Sequence, residues 1–324
     1  PIPSPLGGEG FVHFLPGETT KFPSPFGGGS SVHSPGETTK SPSPLGGEGE
    51  GEGGLSKPWV DFEIVEGEAI DFNPEEGTVL RAHVRCPVCG ARMDDDTTRR
   101  LFREGKGGQR MVAVVLSPRS RGEGGKRYRL ATARDLEAFH AAEKSLEEKR
   151  RKLWEKWEID PVPDEPLIYD PRNIWVTAYI PDDLQKFGSL FNPRQKLALI
   201  TFADAVRRAH QEMLAQGADP EFAKAVVTYL VMGMDKLATY LCALTRWRPD
   251  VLSFERSFDR QALPMVWDYG EVNPFSEARG GWNLENMLGV LAHLTAIPLV
   301  EVPPQVQLGS ATRLPYPDDY LDAV

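Results

Sequence analysis

The densest piece of potential chemistry in the chain is Cys86-Pro-Val-Cys89-Gly90. Two thiols separated by two residues, with a glycine to close the tight turn behind them, form one half of a zinc knuckle. Tetrahedral zinc takes four ligands, and candidates for the other two are few. The remaining cysteine, Cys242, falls far along the chain in a stretch that reads as helix, where it suits a small core position. His83 stands shortly before Cys86, while His13 and His33 lie in N-terminal repeats. Cys86 and Cys89 are therefore expected as ligands of a zinc site that is incomplete in this chain. A ribbon that no longer holds metal, or one whose partner cysteines preceded Pro1, is the alternative.

Other groups have the chemistry to meet nucleic acid. Arg194 and Gln195 open a helix, where backbone N–H groups and a guanidinium can approach phosphate; ordinary first-turn roles are the plainer reading. Arg246-Trp247-Arg248 combines charge with an aromatic face, although cations at a helix end also complement its dipole. Trp267, Asp268, Glu271 and Asn273 make one loop dense in polar and aromatic groups, as site-lining loops often are. Turn-forming and capping roles for Asp268 and Asn273 carry equal weight. The basic run Lys149-Arg150-Arg151-Lys152 reads as a solvated helix face. No residue of the chain is assigned as catalytic.

Gly309-Ser-Ala-Thr-Arg-Leu-Pro-Tyr-Pro-Asp-Asp-Tyr-Leu-Asp-Ala-Val324 resembles the segment of class I methyltransferases that joins the third sheet strand to the fourth. The resemblance implies a strand over 305–308, a turn at Gly309, Ser310 and Ala311 beside the adenine of S-adenosylmethionine, and a further strand over 321–324. Many members carry Asp where this chain has Ser310. Phe187-Gly-Ser-Leu-Phe-Asn-Pro-Arg-Gln-Lys-Leu-Ala-Leu199 and Arg260-Gln-Ala-Leu-Pro-Met-Val-Trp-Asp-Tyr-Gly-Glu-Val-Asn-Pro-Phe275 resemble the middle of the prokaryotic adenine-specific DNA methylases that contain a zinc ribbon. The cysteine knuckle, the helical pair and the Gly-Ser-Ala-Thr-Arg-Leu-Pro segment stand in that family's order, so the resemblance covers most of 60–324.

The family implies DNA and S-adenosylmethionine as partners, with accessory proteins of a defence or modification system. It also implies a mechanism in which a target adenine leaves the duplex stack and presents its exocyclic amine to the sulfonium methyl. The glycine-rich cofactor loop and the catalytic Asp-Pro-Pro-Tyr of the family are not found in this sequence. The expectation is an internal fragment of such an enzyme, inactive by itself. Two other readings remain open: a non-catalytic module that binds nucleic acid or a protein partner, and a class I methyltransferase acting on RNA or a small molecule.

The elements that must position these residues are legible in outline. Residues 1–57 repeat Pro-Ser-Pro-Leu/Phe-Gly-Gly and Pro-Gly-Glu-Thr-Thr-Lys units, with almost nothing apolar to offset the entropy of ordering, and are expected to be disordered. A smaller echo of the repeat stands at 117–125. Residues 58–131 show short strand-like runs between Gly and Pro turns, a β-rich ribbon-like module. Thr132-Ala-Arg-Asp135 has the form of a capping box opening a charged helix to about Trp157, within a segment 132–160. Residues 161–300 read as a mainly helical insertion. In it, Asn192-Pro193 and Asp219-Pro220 open an antiparallel helical pair, Gly217 stops the first member, and the second is expected to run to about Thr245 as an all-round apolar core helix. Another helix is expected near 284–295, and 301–324 would begin the methyltransferase catalytic segment. The whole is an α/β expectation: a partial class I fold with a ribbon-like module and a helical insertion.

The net charge of -10 gives no global basic footprint of the kind a DNA-coating protein carries, though a local basic groove is compatible with it. Three cysteines and a start unlike a signal peptide point to a reducing cytoplasm. The longest strongly apolar stretch, 225–234, is too short for a bilayer, which needs about 20 residues. A start at Pro1 and a stop at Val324 inside an apolar run both read as cut ends.

Overall fold

The structure is a computed structural model that describes residues 19–23, 61–65, 73, 77–80, 83–116, 125–167, 176–259, 262–276, 280–297, 308–310, 312–317 and 320. It divides into two units, Pro1–Asn283 and Leu284–Val324. Both are built from helices and small sheets or bridges, which agrees with the α/β expectation at that coarse level. The remaining repeats, the echo at 117–124, Ala311 and the proposed strands over 305–307 and 321–324 lie outside the described residues.

The strand-like runs of the first unit become strands. β1 (Thr19–Pro23) pairs in parallel with β2 (Asp61–Val65). This corrects the expectation of disorder for that one piece of the repeats: two adjacent threonines and a phenylalanine favour extended backbone, and β2 supplies the ladder. β3 (Val79–Leu80), β4 (His83–Arg85) and β5 (Arg92–Met93) form an antiparallel sheet in chain order. β6 (Ala113–Leu116) and β7 (Arg127–Leu130) form a second antiparallel pair.

Between them lies a helix that the strand pattern conceals, α1 (Asp95–Arg103). Its origin is local. The Asp94 side chain accepts from the Thr97 N–H at 2.7 Å, Asp95 and Asp96 face the positive helix start, and Arg100 and Arg103 occupy the last turn.

α2 (Ala133–Trp157) starts at the expected cap. The Asp135 carboxylate accepts from the Thr132 N–H at 2.8 Å and its hydroxyl at 2.6 Å, and takes both guanidinium nitrogens of Arg129. Arg129 first, with the Thr132 donors, holds the Asp135 carboxyl well below the usual carboxylate range against the opposing effect of burial. A depressed folded-state pKa means that this contribution is present above the unfolded value of about 3.9 and is lost as pH falls below it. Thermal unfolding followed by circular dichroism from pH 7 to pH 3 is expected to lose stability in that acid window. Asp135→Asn should be less stable at neutral pH and show a shallower acid loss; an unchanged profile would remove Asp135 from the cap's energetics.

α2 packs on α3 (Pro193–Ala215) through Leu153, Val162 and Ile200, with Leu146 and Trp157 beside them. The basic run on α2 meets a carboxylate at every position: Lys149 with Asp204, Arg150 with Asp160, Arg151 with Glu155 and Lys152 with Glu148. Most of these pairs are half-exposed and worth little each. They show a face used for internal charge balance.

α3 turns back at Gly217, whose φ of +83° suits glycine, into α4 (Pro220–Ala238). Two expectations for α4 are corrected. It ends at Ala238, because tertiary partners take over the next backbone groups: the Thr239 carbonyl accepts from the Ser257 N–H and hydroxyl, and the Ala243 N–H donates to the Leu190 carbonyl. It is also no all-round core helix, since only Ala223 and Leu237 are buried while Phe222 and Met232 are exposed. Only one face of α4 meets α3.

Cys242 therefore lies in the turn after α4, in a core with Leu167, Val176, Leu190 and Leu244. The strands β8 (Trp247–Arg248) and β9 (Ser253–Phe254) form a short hairpin. In the second unit, α5 (Leu284–Ala296) occupies the expected place and buries none of its residues.

Candidate functional site

The knuckle is built as a turn between β4 and β5. The Cys86 N–H donates to the Ala91 carbonyl at 2.7 Å and the Gly90 N–H to the Cys86 carbonyl at 2.9 Å. Gly90 takes a φ of +72°, so the glycine after the second cysteine is a backbone requirement. The backbone N–H groups of Cys89 and Val88 are directed at the Cys86 sulfur. They and the Cys89 thiol lower the Cys86 pKa below the ordinary thiol range, with burial opposing. Both thiols are free, Cys89 exposed and Cys86 partly so. The turn thus sets two soft sulfur donors side by side, of the kind zinc takes. Among the described residues no three of His, Cys, Asp and Glu converge on a metal position. The residues fit half of a zinc site. Cys242 takes no part in it: burial pushes its thiol up to about 11, and it donates to the Leu190 carbonyl.

A second feature joins the two segments that carry the methylase resemblance. Asn192 caps α3, accepting the Gln195 N–H at 2.9 Å, while Gln195 returns its side-chain oxygen to the Asn192 N–H at 2.9 Å. The Asn192 amide also donates to Glu271 at 2.9 Å and to the Tyr269 hydroxyl at 3.2 Å. Arg194 donates to the other Glu271 oxygen at 2.5 Å. The Tyr269 hydroxyl donates a hydrogen bond to the Gln109 side-chain oxygen, on the chain following α1. Burial raises the Tyr269 pKa, with Asn192 opposing it. Gly270, between Tyr269 and Glu271, donates its N–H to the Thr245 carbonyl at 2.9 Å, and the Phe254 ring occupies the space of a Cβ there.

The groups expected to meet DNA stand as follows. Arg194 is paired with Glu271, and Gln195 is fully buried within the cap. Arg246 pairs with Glu255 across the base of the β8–β9 hairpin, and Arg248 with Asp250 in its turn. Trp247 is half-buried, edge-on to Tyr128 and Phe254 with the Lys126 ammonium 5.9 Å from its ring. The structure gathers Arg246, Trp247 and Arg248 on one hairpin and keeps Arg194 at the α3 cap.

In the loop, Trp267 closes an edge-to-face triangle with Phe102 and Tyr179, with centroids 5.3 to 5.7 Å apart. Asp268 is exposed. Asn273 forms a turn, its side chain accepting the Phe275 N–H at 3.0 Å and its carbonyl the Ser276 N–H at 3.0 Å. Only Glu271 of these four enters the Asn192 node. The pairing of Asn192 with Glu271, and of Tyr269 with Asn192 and Gln109, carries no local signal in the sequence, because these residues stand far apart in the chain.

In the second unit Ser310 makes a turn with Arg313, whose N–H donates to the Ser310 carbonyl at 3.0 Å, and its hydroxyl lies 2.9 Å from that of Thr312. Gly309 and Ser310 are exposed, as is Leu308 before them.

No family model, curated protein or solved structure matches this chain. No helix among the described residues is long and apolar enough to cross a membrane.

Proposed function

We propose that this chain is part of an adenine-specific DNA methyltransferase that takes its methyl group from S-adenosylmethionine, and that it serves as a positioning insertion bearing a thiolate zinc half-site. The observation that carries the reading is the node at the start of α3. The segments 187–199 and 260–275, which resemble that family independently, meet through Asn192, Arg194, Tyr269 and Glu271. Motif residues held in one hydrogen-bonded node behave as one structural device. Their hydrogen bonds hold the α3 start against the loop after β9, and so fix the helical pair relative to the β8–β9 hairpin. Arg246 and Arg248 stand on that hairpin, where phosphate could compete with Glu255 and Asp250 for them.

The chemistry of base capture and methyl transfer belongs to a glycine-rich loop and an Asp-Pro-Pro-Tyr that this sequence does not contain. The purified chain is accordingly expected to transfer no labelled methyl group from S-adenosylmethionine to DNA. Determining the nucleotide sequence on both sides of the coding segment tests the parent assignment. A frame running on into Asp-Pro-Pro-Tyr, with a glycine-rich loop encoded upstream, would support it. A stop codon directly after Val324, or methyl transfer by this chain alone, would overturn it.

A further inference from the structure

We infer that the seam between α2 and α3 is a docking surface for the phosphodiester backbone of a nucleic acid, with Lys149, Lys156, Arg207 and Arg208 as the phosphate contacts. The inference goes beyond the proposed function, which placed phosphate only at the β8–β9 hairpin. It stands on charge and geometry that owe nothing to methyl transfer.

Charge balance along α2 is uneven. Arg150, Arg151 and Lys152 each have a carboxylate of their own, and the pairs of Arg151 with Glu155 and Lys152 with Glu148 close to 2.9 and 2.5 Å. Lys149 has only a share in one. Asp204 of α3 meets Lys149 at 3.4 Å, Lys156 at 3.5 Å and Arg208 at 3.6 Å. Three cations thus converge on a single carboxylate, and each is held at the outer reach of an ion pair. The Asp204 Oδ1 is buried and accepts no hydrogen bond. One carboxylate neutralises one cation, so an excess of positive charge stays here, and the three cations repel one another. A further anion with several acceptor oxygens relieves that repulsion, and a phosphate is such a group.

The cations are placed to receive it from solvent. The Asp204 side chain is 12% exposed, against 27% for Lys149, 47% for Lys156 and 55% for Arg208. Arg207 is exposed as well, and among the described residues it pairs with no carboxylate. Its guanidinium lies 4.3 Å from the ring centre of Trp157, the neighbour of Lys156. A guanidinium that rests on an indole keeps its N–H donors available to an anion. Lys149 and Lys156 stand two turns apart on α2, about 10 Å, so the cations form a row and not a cup. A row suits a strand that repeats its phosphates along a line better than it suits one small anion. α3 is itself cationic, with Arg194, Lys196, Arg207 and Arg208 against Asp204 and Glu212, in a chain whose net charge is -10. That local reversal of sign marks the surface for a polyanion.

The test uses the whole chain and a short fluorescein-labelled DNA duplex of random sequence, with fluorescence anisotropy read over a range of salt. Binding is expected at low salt and should weaken as salt rises. The Lys156→Gln/Arg208→Gln double variant should bind at least about tenfold more weakly, and its slope of log affinity against log salt should be shallower by about 1–2. Asp204→Asn removes the competing carboxylate and should bind about threefold more tightly. Lys224→Gln, an exposed cation on α4, should change affinity by no more than about twofold. Circular dichroism checks that each variant folds; the double variant changes surface side chains only and reads the seam even if Asp204→Asn does not fold. No binding at low salt, or binding that ignores the double variant, would overturn the inference. So would loss of binding confined to an Arg246→Gln/Arg248→Gln variant, which would place the DNA on the hairpin. Polyglutamate bound as tightly at matched ionic strength, with the same response to the double variant, would overturn nucleic acid in favour of an acidic protein partner. None of these outcomes bears on methyl transfer, which is read by label incorporation.

Discussion

Leu190→Ala is expected to destabilise the first unit by about 3–4 kcal/mol, well within the range for a large-to-small change in a packed core. Leu190 is 1% exposed and touches the core built from Leu167, Val176, Cys242 and Leu244. The cost should be high because the site is poorly able to collapse. The Leu190 carbonyl accepts both the Ala243 N–H at 2.8 Å and the Cys242 thiol at 3.4 Å, so the backbone around the void is held from two directions. Urea unfolding followed by tryptophan fluorescence measures the change. Leu184→Ala is the control: that side chain is about half exposed, and its removal should cost no more than about 0.5 kcal/mol. Similar losses for the two variants would show that Leu190 does not anchor a core.

Glu271→Ala is expected to cost about 2 kcal/mol. Its carboxylate accepts from the Asn192 amide and from Arg194, and its side chain is 17% exposed. Removal leaves the buried Asn192 amide with the longer Tyr269 contact alone. It also leaves the Arg194 guanidinium with the Phe139 ring, 5.7 Å away. Arg194 is 36% exposed, so water recovers part of its loss and the figure sits low in the range for a charged hydrogen bond. Glu271→Gln keeps an acceptor oxygen and the shape, so its cost should be about half as large. Equilibrium unfolding of both variants, with Arg194→Ala to complete a double-mutant cycle, isolates the pair. A coupling near zero would mean that the two motif segments are neighbours without being a node, and the observation behind the proposed function would lose its force.

The pairing of Asn192 with Glu271 also bears on how the insertion is held. A capping asparagine whose amide is committed to a distant carboxylate ties the start of α3 to the loop after β9. A change at Glu271 should therefore be felt at the helix start as well as in the loop. Hydrogen exchange at the N–H groups of Gln195 and Lys196 is the place to see it.

What the sequence alone determined was whatever depends on a few consecutive residues. Thr132 with Asp135, Asn192 with Pro193 and Gln195, Asp219 with Pro220, and Gly217 mark helix ends, because capping satisfies backbone groups within a single turn. The extended runs around 62–65, 113–116 and 127–130 and the turn of the cysteine knuckle are local in the same sense. Tertiary structure decided the rest. α1 was hidden among strands because it is short and holds only two apolar residues, Leu101 and Phe102, although Asp94 and the charges at its two ends mark it in retrospect. α4 stops at Ala238 because Ser257 and Leu190, distant in sequence, bind the backbone beyond it. Its apolar residues look like core by composition, but one helix face meets α3 and others remain exposed. Arg194, Arg246 and Arg248 look like free cations in a linear reading, since a charge displays its type and not its partner. Glu271, Glu255 and Asp250 become those partners only when the chain is folded.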